Sequence, residues 1–569
     1  MKRIDELGSV ISTDVLILGG GGAGLCAAIK AADTKVNVLV LDKCGIGFSG
    51  EFPIGGGIIK YVYPERAEEW SREITEQSNY FNNQDWTYAI AQDLHKATNQ
   101  IANLGVKFLK SEGEIAIYSF EKGDYVTLFE APKSLTLLKQ AAVSRGVKTL
   151  DKVYAVDLLK KDGRVEGAIG IGLVDGKTYI FSAKAVVIAT GGCGFMHEKT
   201  FGCNLGEGHA MGYRAGAQLL NAEFGGAYVY GAKALGKQFM GIHVYLRLEN
   251  ALGENIIKKY YPEVFEKKQI VYTHDPRAID AMMREVSAGR GPIYLDLRNL
   301  TTEEKAYITE DRIKELPQIL ANDNYKLMKE KAGVDPEKEK IEMTPYYLRG
   351  GGGGGLKVDT ECRTTLNGLW AVGRAAHTES CIHGGGIGIG SSLITGLRGG
   401  ESAGRQALDS KPAKVDYEEA KRVKERIMAP LGKSGTVQAH EVIYQVHEAV
   451  VPMKYNFYRE GGRLKEALGI IENAKEKLAG VGARDYHELS RYHQTESMIL
   501  SAEFTYKAAL LREESRFGHR REDFPARDDK NWRRWTIIEK KDGLPHIFYV
   551  PVPWRKYRFQ PSDDVKNGS

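Results

Sequence analysis

The sequence has no C-x-x-C pair. Its six cysteines, Cys26, Cys44, Cys193, Cys203, Cys362 and Cys381, are scattered along the chain. That spacing excludes an obvious zinc site or iron–sulfur cluster built by this chain alone, so any cluster is expected on a partner. No window of about eighteen residues is apolar throughout, which argues against a membrane span. The opening Met1-Lys2-Arg3-Ile4-Asp5-Glu6 lacks the apolar core and cleavage site of a secretory leader. A reducing cytoplasm is the expected compartment. Charge of one sign is missing too: 79 Lys and Arg face 74 Asp and Glu, so nothing demands a polyanion such as nucleic acid. With 42% hydrophobic residues over 569 positions, the chain is too apolar for disorder. Proline is sparse at 17, but glycine is not: there are 65, and they cluster. Clustered glycine points to backbone lying against a ligand.

The pattern along the chain divides it. Val15 to Leu18 is a short apolar run suited to a parallel strand, followed by six residues of Gly and Ala and a helix from about Gly24 to Ala32. Val38 to Leu41 forms the second strand, ending at Asp42-Lys43, which completes a βαβ unit. Helical spacing recurs over residues 64–76 and 84–104. Asp162-Gly163 and Asp175-Gly176 punctuate apolar runs at 152–159, 165–174 and 178–190, the pattern of a β-meander. Between 225 and 345 glycine thins out and charge rises, with helices expected at 277–288 and 303–316. The glycine-rich style then returns through about 408. After Pro412 the chain reads as helices at 416–429, 462–478 and 486–512. The expected division is a glycine-rich first domain in two parts (1–224 and 346–410), an inserted domain (225–345), a helical domain (411–512) and an irregular tail (513–569). The fold class is α/β, with a Rossmann-like first domain and an α+β insert.

Gly19-Gly20-Gly21-Gly22-Ala23-Gly24 contains G-x-G-x-x-G directly after a strand and opening a helix. In that motif one glycine makes the tight turn, one lets backbone approach a pyrophosphate, and one lets helix and strand pack closely. Asp42 ends the second strand 23 residues after Gly19, where a carboxylate can take a ribose hydroxyl. Those features alone do not separate FAD from NAD. Later segments favour FAD: Ala189-Thr190-Gly191-Gly192 after a strand, Gly206-Glu207-Gly208-His209, Gly368 to Gly373, and Gly384 to Ser392 opening another helix. A second helix N-terminus of this kind suits the flavin end that gains negative charge on reduction.

Together these segments resemble the flavoprotein subunits of succinate dehydrogenase and fumarate reductase, L-aspartate oxidase, and the alpha subunit of dissimilatory adenylylsulfate reductase. The resemblance runs over nearly the whole chain. It takes in Leu248-Glu249-Asn250-Ala251-Leu252-Gly253-Glu254, Lys259-Tyr260-Tyr261-Pro262-Glu263, and Arg284-Glu285 with Gly289-Arg290-Gly291-Pro292-Ile293-Tyr294. It ends with Glu514-Ser515-Arg516, His519-Arg520, Asp523-Phe524-Pro525, Asp528-Asp529 and Trp532. By implication the insert is a capping domain. The implied FAD contacts are Gly19, Gly21, Gly22, Ala23, Gly24, Asp42, Lys43, Ser49, Gly50, Gly56, Gly57, Ala189, Thr190, Gly191, Gly192, Glu207, Gly373, Arg374, Gly390, Ser391, Ser392 and Leu393.

The sequence departs from that family where chemistry is concerned. Members that link FAD covalently use a histidine at the position held here by Gly50, which implies noncovalent FAD. The proton-donating arginine of dicarboxylate enzymes aligns with Asp280, a second substrate arginine with Ile387, and the His-Tyr-Thr pattern with Tyr346-Tyr347-Leu348. Fumarate needs cations for both carboxylates and a proton donor, so succinate and fumarate are disfavoured. Ser49-Gly50 and Met282-Met283-Arg284-Glu285 side with adenylylsulfate reductase. Its arginine, however, falls on Ala278, next to Arg277.

Candidates for substrate contact are His383, Arg290, Arg277, Tyr347 and Arg349, with Glu51 weaker. Arg290 reads more readily as a structural ion pair supporting its turn than as a substrate contact. His243 and Arg247 read as exposed strand residues, Cys193 and Cys381 as small apolar side chains. The tail from Arg512 to Phe559 has 13 Lys and Arg against 8 Asp and Glu, interleaved with Trp532, Trp535 and Trp554. Such a stretch can dock an acidic, ferredoxin-like subunit. The expected function is an FAD-dependent oxidoreductase subunit that exchanges electrons between an iron–sulfur partner and a small substrate in a hetero-oligomer. Its reaction is reduction of an activated C=C bond or two-electron sulfur redox chemistry, with direct reoxidation by oxygen as a third option. The alternatives are a non-catalytic electron relay and an adenylylsulfate reductase of the alpha type.

Overall fold

The computed structural model describes residues 3–54, 57–121, 124–197, 202–224, 227–235, 247–266, 276–302, 328–348, 354–378 and 387–561. Gly56, His243, Arg349, Cys381, His383 and the helix expected at 303–316 lie outside them. The chain forms two compact units, one of residues 1–196, 202–225 and 350–569, the other of 197–201 and 226–349.

The first unit is built on a seven-stranded sheet. Its centre is β1 (Ser9–Leu18), parallel on one side to β2 (Val38–Asp42) and on the other to β3 (Thr178–Ile188). Val15 to Leu18, Val38 to Leu41 and Ala185 to Ile188 are all at most 5% exposed. The strands read as unbroken apolar runs because both faces of the sheet are covered. Lys148–Asp151 and Leu369–Ala371 add parallel strands at β2 and β3. Val153–Lys161 and Arg164–Gly172 continue from β3 as an antiparallel meander. Helix α1 (Gly22–Asp33) follows β1, α2 (Glu207–Ala215) follows β3, and α3 (Ile387–Asp409) comes from the returning segment.

Glycine does a second job in α3. A Cβ at Gly396 would lie 2.4 Å from the Ala23 carbonyl oxygen, and one at Gly400 2.2 Å from that of Ala27. These glycines let α3 lie directly on the backbone of α1. The glycine excess is therefore divided between ligand-type loops and helix packing, where a glycine that weakens an isolated helix by about 1 kcal/mol permits close approach.

The helices expected after Pro412 are present at Tyr417–Met428, Gly461–Leu478 and Tyr486–Leu511, joined by Ala439–Val450. The tail is not irregular. Arg534–Lys541 and Leu544–Pro551 form a hairpin around Asp542-Gly543 and pair with Leu219–Leu220, extending a five-stranded sheet. Asp-Gly is a strong hairpin signal, hidden here by the surrounding Lys, Arg and Pro. Nor is its basic excess all surface: Arg512, Arg516, Arg521 and Arg533 are buried.

Buried among them is His519. Arg459 Nη1 donates to its Nδ1 at 2.7 Å, and its Nε2 lies 3.2 Å from the Arg512 carbonyl oxygen, so the geometry assigns a neutral ring protonated at Nε2. Burial and then the flanking Arg459 and Arg512 hold the imidazole well below the usual histidine range. Below about pH 6.5 the unfolded chain binds a proton that the folded one does not, so stability falls with pH by up to about 1.4 kcal/mol per unit. Urea midpoints between pH 7.5 and 5.5 should show that decline. His519→Asn should flatten it, and an unchanged slope would refute the assignment.

The second unit carries a four-stranded sheet in the order Ala227–Ala232, Ile341–Leu348, Ile293–Leu295, Leu248–Glu249. The helices Ile256–Tyr260, Pro262–Glu266 and Pro276–Ser287 belong to it.

Candidate functional site

The end of β1 is shaped by what cannot fit there. Gly19 turns with φ +114°, and its N–H donates to the Leu41 carbonyl oxygen at 2.8 Å. A Cβ at Gly24 would meet the Gly19 carbonyl oxygen at 1.9 Å, at Gly22 the Phe52 ring at 2.7 Å, and at Gly20 the Ile46 side chain at 2.6 Å. Gly21 differs. Its nearest neighbour would be the Ser49 carbonyl oxygen at 3.9 Å, so the position that caps α1 faces open space. Among the described residues no side chain caps this helix, leaving its first amides to a ligand.

Asp42 braces this loop. Its Oδ2 accepts from the Gly20 N–H and the Ser49 hydroxyl, both at 2.7 Å, and its Oδ1 from the Cys44 N–H at 2.7 Å. Beside it Lys43 pairs with Glu207 in the first turn of α2. Burial alone would lower the Lys43 ammonium, but Glu207 outweighs it and holds the group above its ordinary value.

A second segment closes on the first. The Ala189 N–H donates to the Leu18 carbonyl oxygen at 2.8 Å, which brings Thr190, Gly191 and Gly192 alongside Gly19. The Thr190 hydroxyl oxygen is buried with no hydrogen-bond partner among the described residues. A buried polar atom in that state is costly without a ligand. The third segment is Gly373-Arg374. Gly373 has φ +61°, and a Cβ there would lie 2.8 Å from that of Ala23. Arg374 lies over the start of α3, where a Cβ on Gly388 would collide with its guanidinium. In α3, Ser391 and Ser392 both donate to the Gly388 carbonyl oxygen, Leu393 is fully buried, and Gly390 packs against Leu94. Gly50 has φ +80° and approaches Gly21, whereas Gly57 packs against the Phe129 backbone.

Three glycine segments distant in sequence thus surround the α1 N-terminus. An open Gly21, an unpartnered Thr190 hydroxyl and uncapped amides fit an elongated dinucleotide with a pyrophosphate. Ile46 and Phe52, which shape the loop, carried no sequence signal.

Arg277, Arg290 and Tyr347 belong to the inserted unit. Arg290 donates through Nε and Nη2 to Glu285 at 2.6 and 3.0 Å. Glu285, fully buried, also accepts from Tyr260 at 2.5 Å and Asn250 at 2.7 Å. Arg290 and these donors hold the Glu285 carboxyl far below the usual carboxylate range. The Arg290 fork is thus committed to an internal ion pair. Asp280, also buried, accepts from Tyr261 at 2.7 Å and Arg284 at 2.6 Å. Ala278 is fully buried and Arg277 is half-buried beside it. Arg247 donates to the Asn299 carbonyl oxygen at 3.3 Å, and Tyr347 faces Tyr228 in strand register.

Known proteins share this architecture. Residues 14–227 match the FAD binding domain family, and residues 448–565 the fumarate reductase flavoprotein C-terminal family. The fumarate reductase flavoprotein subunit of Mycobacterium tuberculosis is 28% identical over 95% of this chain and 97% of its own length. A fumarate reductase (CoM/CoB) subunit of Methanothermobacter marburgensis is 27% identical over 93% and 97%. Among solved structures, the Escherichia coli quinol fumarate reductase flavoprotein superposes with a TM-score of 0.84 at 22% identity, covering 98% of this chain and 99% of that one. Adenylylsulfate reductase of Archaeoglobus fulgidus does so with a TM-score of 0.78 at 21% identity, covering 97% of each.

Proposed function

Because this chain is an FAD-dependent flavoprotein of the fumarate reductase and succinate dehydrogenase family, we propose that it passes electrons between an iron–sulfur partner and a small substrate. FAD, when bound, supplies the two-electron redox chemistry. The observation that carries the reading is the convergence of Gly19–Gly24, Ala189–Gly192 and Gly373-Arg374 on the uncapped end of α1. Gly19, Gly21, Gly22, Ala23 and Gly24 would hold the pyrophosphate. Thr190 would offer its hydroxyl, and Asp42 would keep the loop in shape. Gly50 has no side chain to bond the flavin, so the cofactor is held noncovalently.

The sequence offers no obvious cluster site of its own, which supports an iron–sulfur partner and a hetero-oligomer. Exposed Lys530, Arg534, Lys540, Lys541, Arg555 and Lys556 offer a basic face for it. Among the described residues no helix is long and apolar enough to cross a membrane. Five cysteines there are free thiols, which suits the cytoplasm.

The site residues disfavour a dicarboxylate substrate. Asp280 brings a carboxylate where a cation is required, Ile387 brings an aliphatic side chain, and Arg290 is bound to Glu285. An activated C=C compound or a sulfur compound fits better.

The test begins with acid precipitation, which should leave the yellow flavin in the supernatant. Anaerobically reduced protein is then mixed with enoates, acyl-CoA thioesters, adenylylsulfate or sulfite, and the oxidised flavin absorption is followed. Recovery with one class identifies the substrate, and recovery with adenylylsulfate alone, which takes up the two electrons as it releases AMP and sulfite, the alpha-type reading. Recovery with none would replace this proposal by the relay, which the missing cations favour.

A further inference from the structure

The dinucleotide cleft holds one charged group that neither braces the glycine loop nor caps a helix. Glu51 follows the Ser49-Gly50 turn that approaches Gly21, and its Oε1 would lie 2.4 Å from a Cβ on Gly202. The carboxylate therefore bridges the first glycine loop and the segment after β3. Asn204 hydrogen-bonds to it, and Arg374 faces it from the third segment. The Cys203 thiol senses its charge from the same segment as Asn204. Lys43, nearby, is bound to Glu207. His209 reaches the Arg374 carbonyl oxygen at 3.3 Å. An anionic pyrophosphate is thus expected in a cleft that already holds a carboxylate, with Arg374 to offset it.

We propose that Glu51 is a proton-linked positioning residue for FAD: its neutral form lets the dinucleotide seat at α1, and its ionised form opposes that binding. The inference rests on the FAD reading. Burial lifts the Glu51 carboxyl to about 6 against the opposing pull of Arg374 and Asn204. An anionic ligand in the same low-dielectric cleft raises it further. FAD binding above that pH then takes up a proton. The dissociation constant climbs by up to about tenfold per pH unit until the bound form itself titrates.

Two measurements on the apoprotein test this without reference to turnover. Calorimetric titration with FAD at pH 7 in phosphate and in Tris, whose ionisation enthalpies differ, should report uptake approaching one proton. FAD affinity followed by flavin fluorescence from pH 5.5 to 8.5 should weaken with rising pH in the wild type. In Glu51→Gln it should stay level and be about fiftyfold or more tighter at pH 8. Glu51→Ser serves if the glutamine variant does not fold, and Arg374→Gln should move the wild-type decline to a higher pH range. Zero proton uptake, or a decline that persists without Glu51 and so belongs to His209, would overturn the proposal. Absence of FAD binding at every pH would instead overturn the cofactor assignment.

Discussion

Gly21→Ala is expected to fold like the wild type and fail to retain FAD, whereas Gly24→Ala is expected to be measurably destabilised. The two substitutions add the same methyl group three residues apart. At Gly24 it enters 1.9 Å from the Gly19 carbonyl oxygen, backbone that is itself pinned by the hydrogen bond to Leu41. Either β1 or α1 must shift, and overpacking of this kind destabilises by about 1–3 kcal/mol or more, beyond the roughly 1 kcal/mol that alanine returns as a helix former. At Gly21 the backbone is extended, with φ −76° and ψ −174°, which any residue adopts, and the new methyl meets nothing closer than 3.9 Å. Stability should change by less than about 0.5 kcal/mol. Because that methyl stands where a pyrophosphate would meet the helix amides, FAD affinity should fall by about a hundredfold, or ~2.7 kcal/mol. Thermal denaturation of the apoproteins and FAD titration separate the outcomes. A Gly21→Ala protein that binds FAD normally would remove the pyrophosphate from this loop.

Arg512→Met is expected to destabilise the first unit by about 3–5 kcal/mol. The Arg512 side chain is fully buried and every donor is engaged. Nε donates to Glu223 at 2.7 Å, Nη1 to Glu514 at 2.9 Å and the Trp532 carbonyl oxygen at 3.0 Å, and Nη2 to the Arg534 carbonyl oxygen at 2.6 Å and Thr536 at 3.1 Å. Glu223 and Glu514 are also fully buried. Methionine fills the space but leaves Glu223 without its cation, and Glu514 with only Arg516. Arg512→Lys should fail nearly as badly, since an ammonium cannot reproduce the planar fork. Asp5→Asn, which breaks the exposed pair with Arg3, should leave the urea midpoint unchanged. A small effect of Arg512→Met would mean that the cluster contributes little to stability. The cluster also grips Glu223 just before the chain enters the inserted unit at residue 226.

Much of the cofactor half of the molecule was legible from local pattern. Strand, glycine turn, helix and acid follow one another within 30 residues, and each is specified by its own side chains. For Arg290 the ion pair was already the stronger reading, and the structure bears it out; its partner, the buried Glu285, was not legible. Arg512 and Arg516 counted as surface charge until burial showed them to be interior. The packing role of Gly396 and Gly400 in α3 was not legible, because sequence does not reveal that α1 lies across them.

The amino-acid sequence alone determined the βαβ unit, its glycine loop, the insertion and the absence of a C-x-x-C pair, because these depend on residues that are neighbours along the chain. Only the tertiary structure decided which charges face inward, that Asp42 braces the glycine loop through three hydrogen bonds, and that Glu51 meets Arg374 across the cleft. Those outcomes depend on contacts between segments up to some 300 residues apart in the chain, where burial and pairing, not residue type, set what a side chain does.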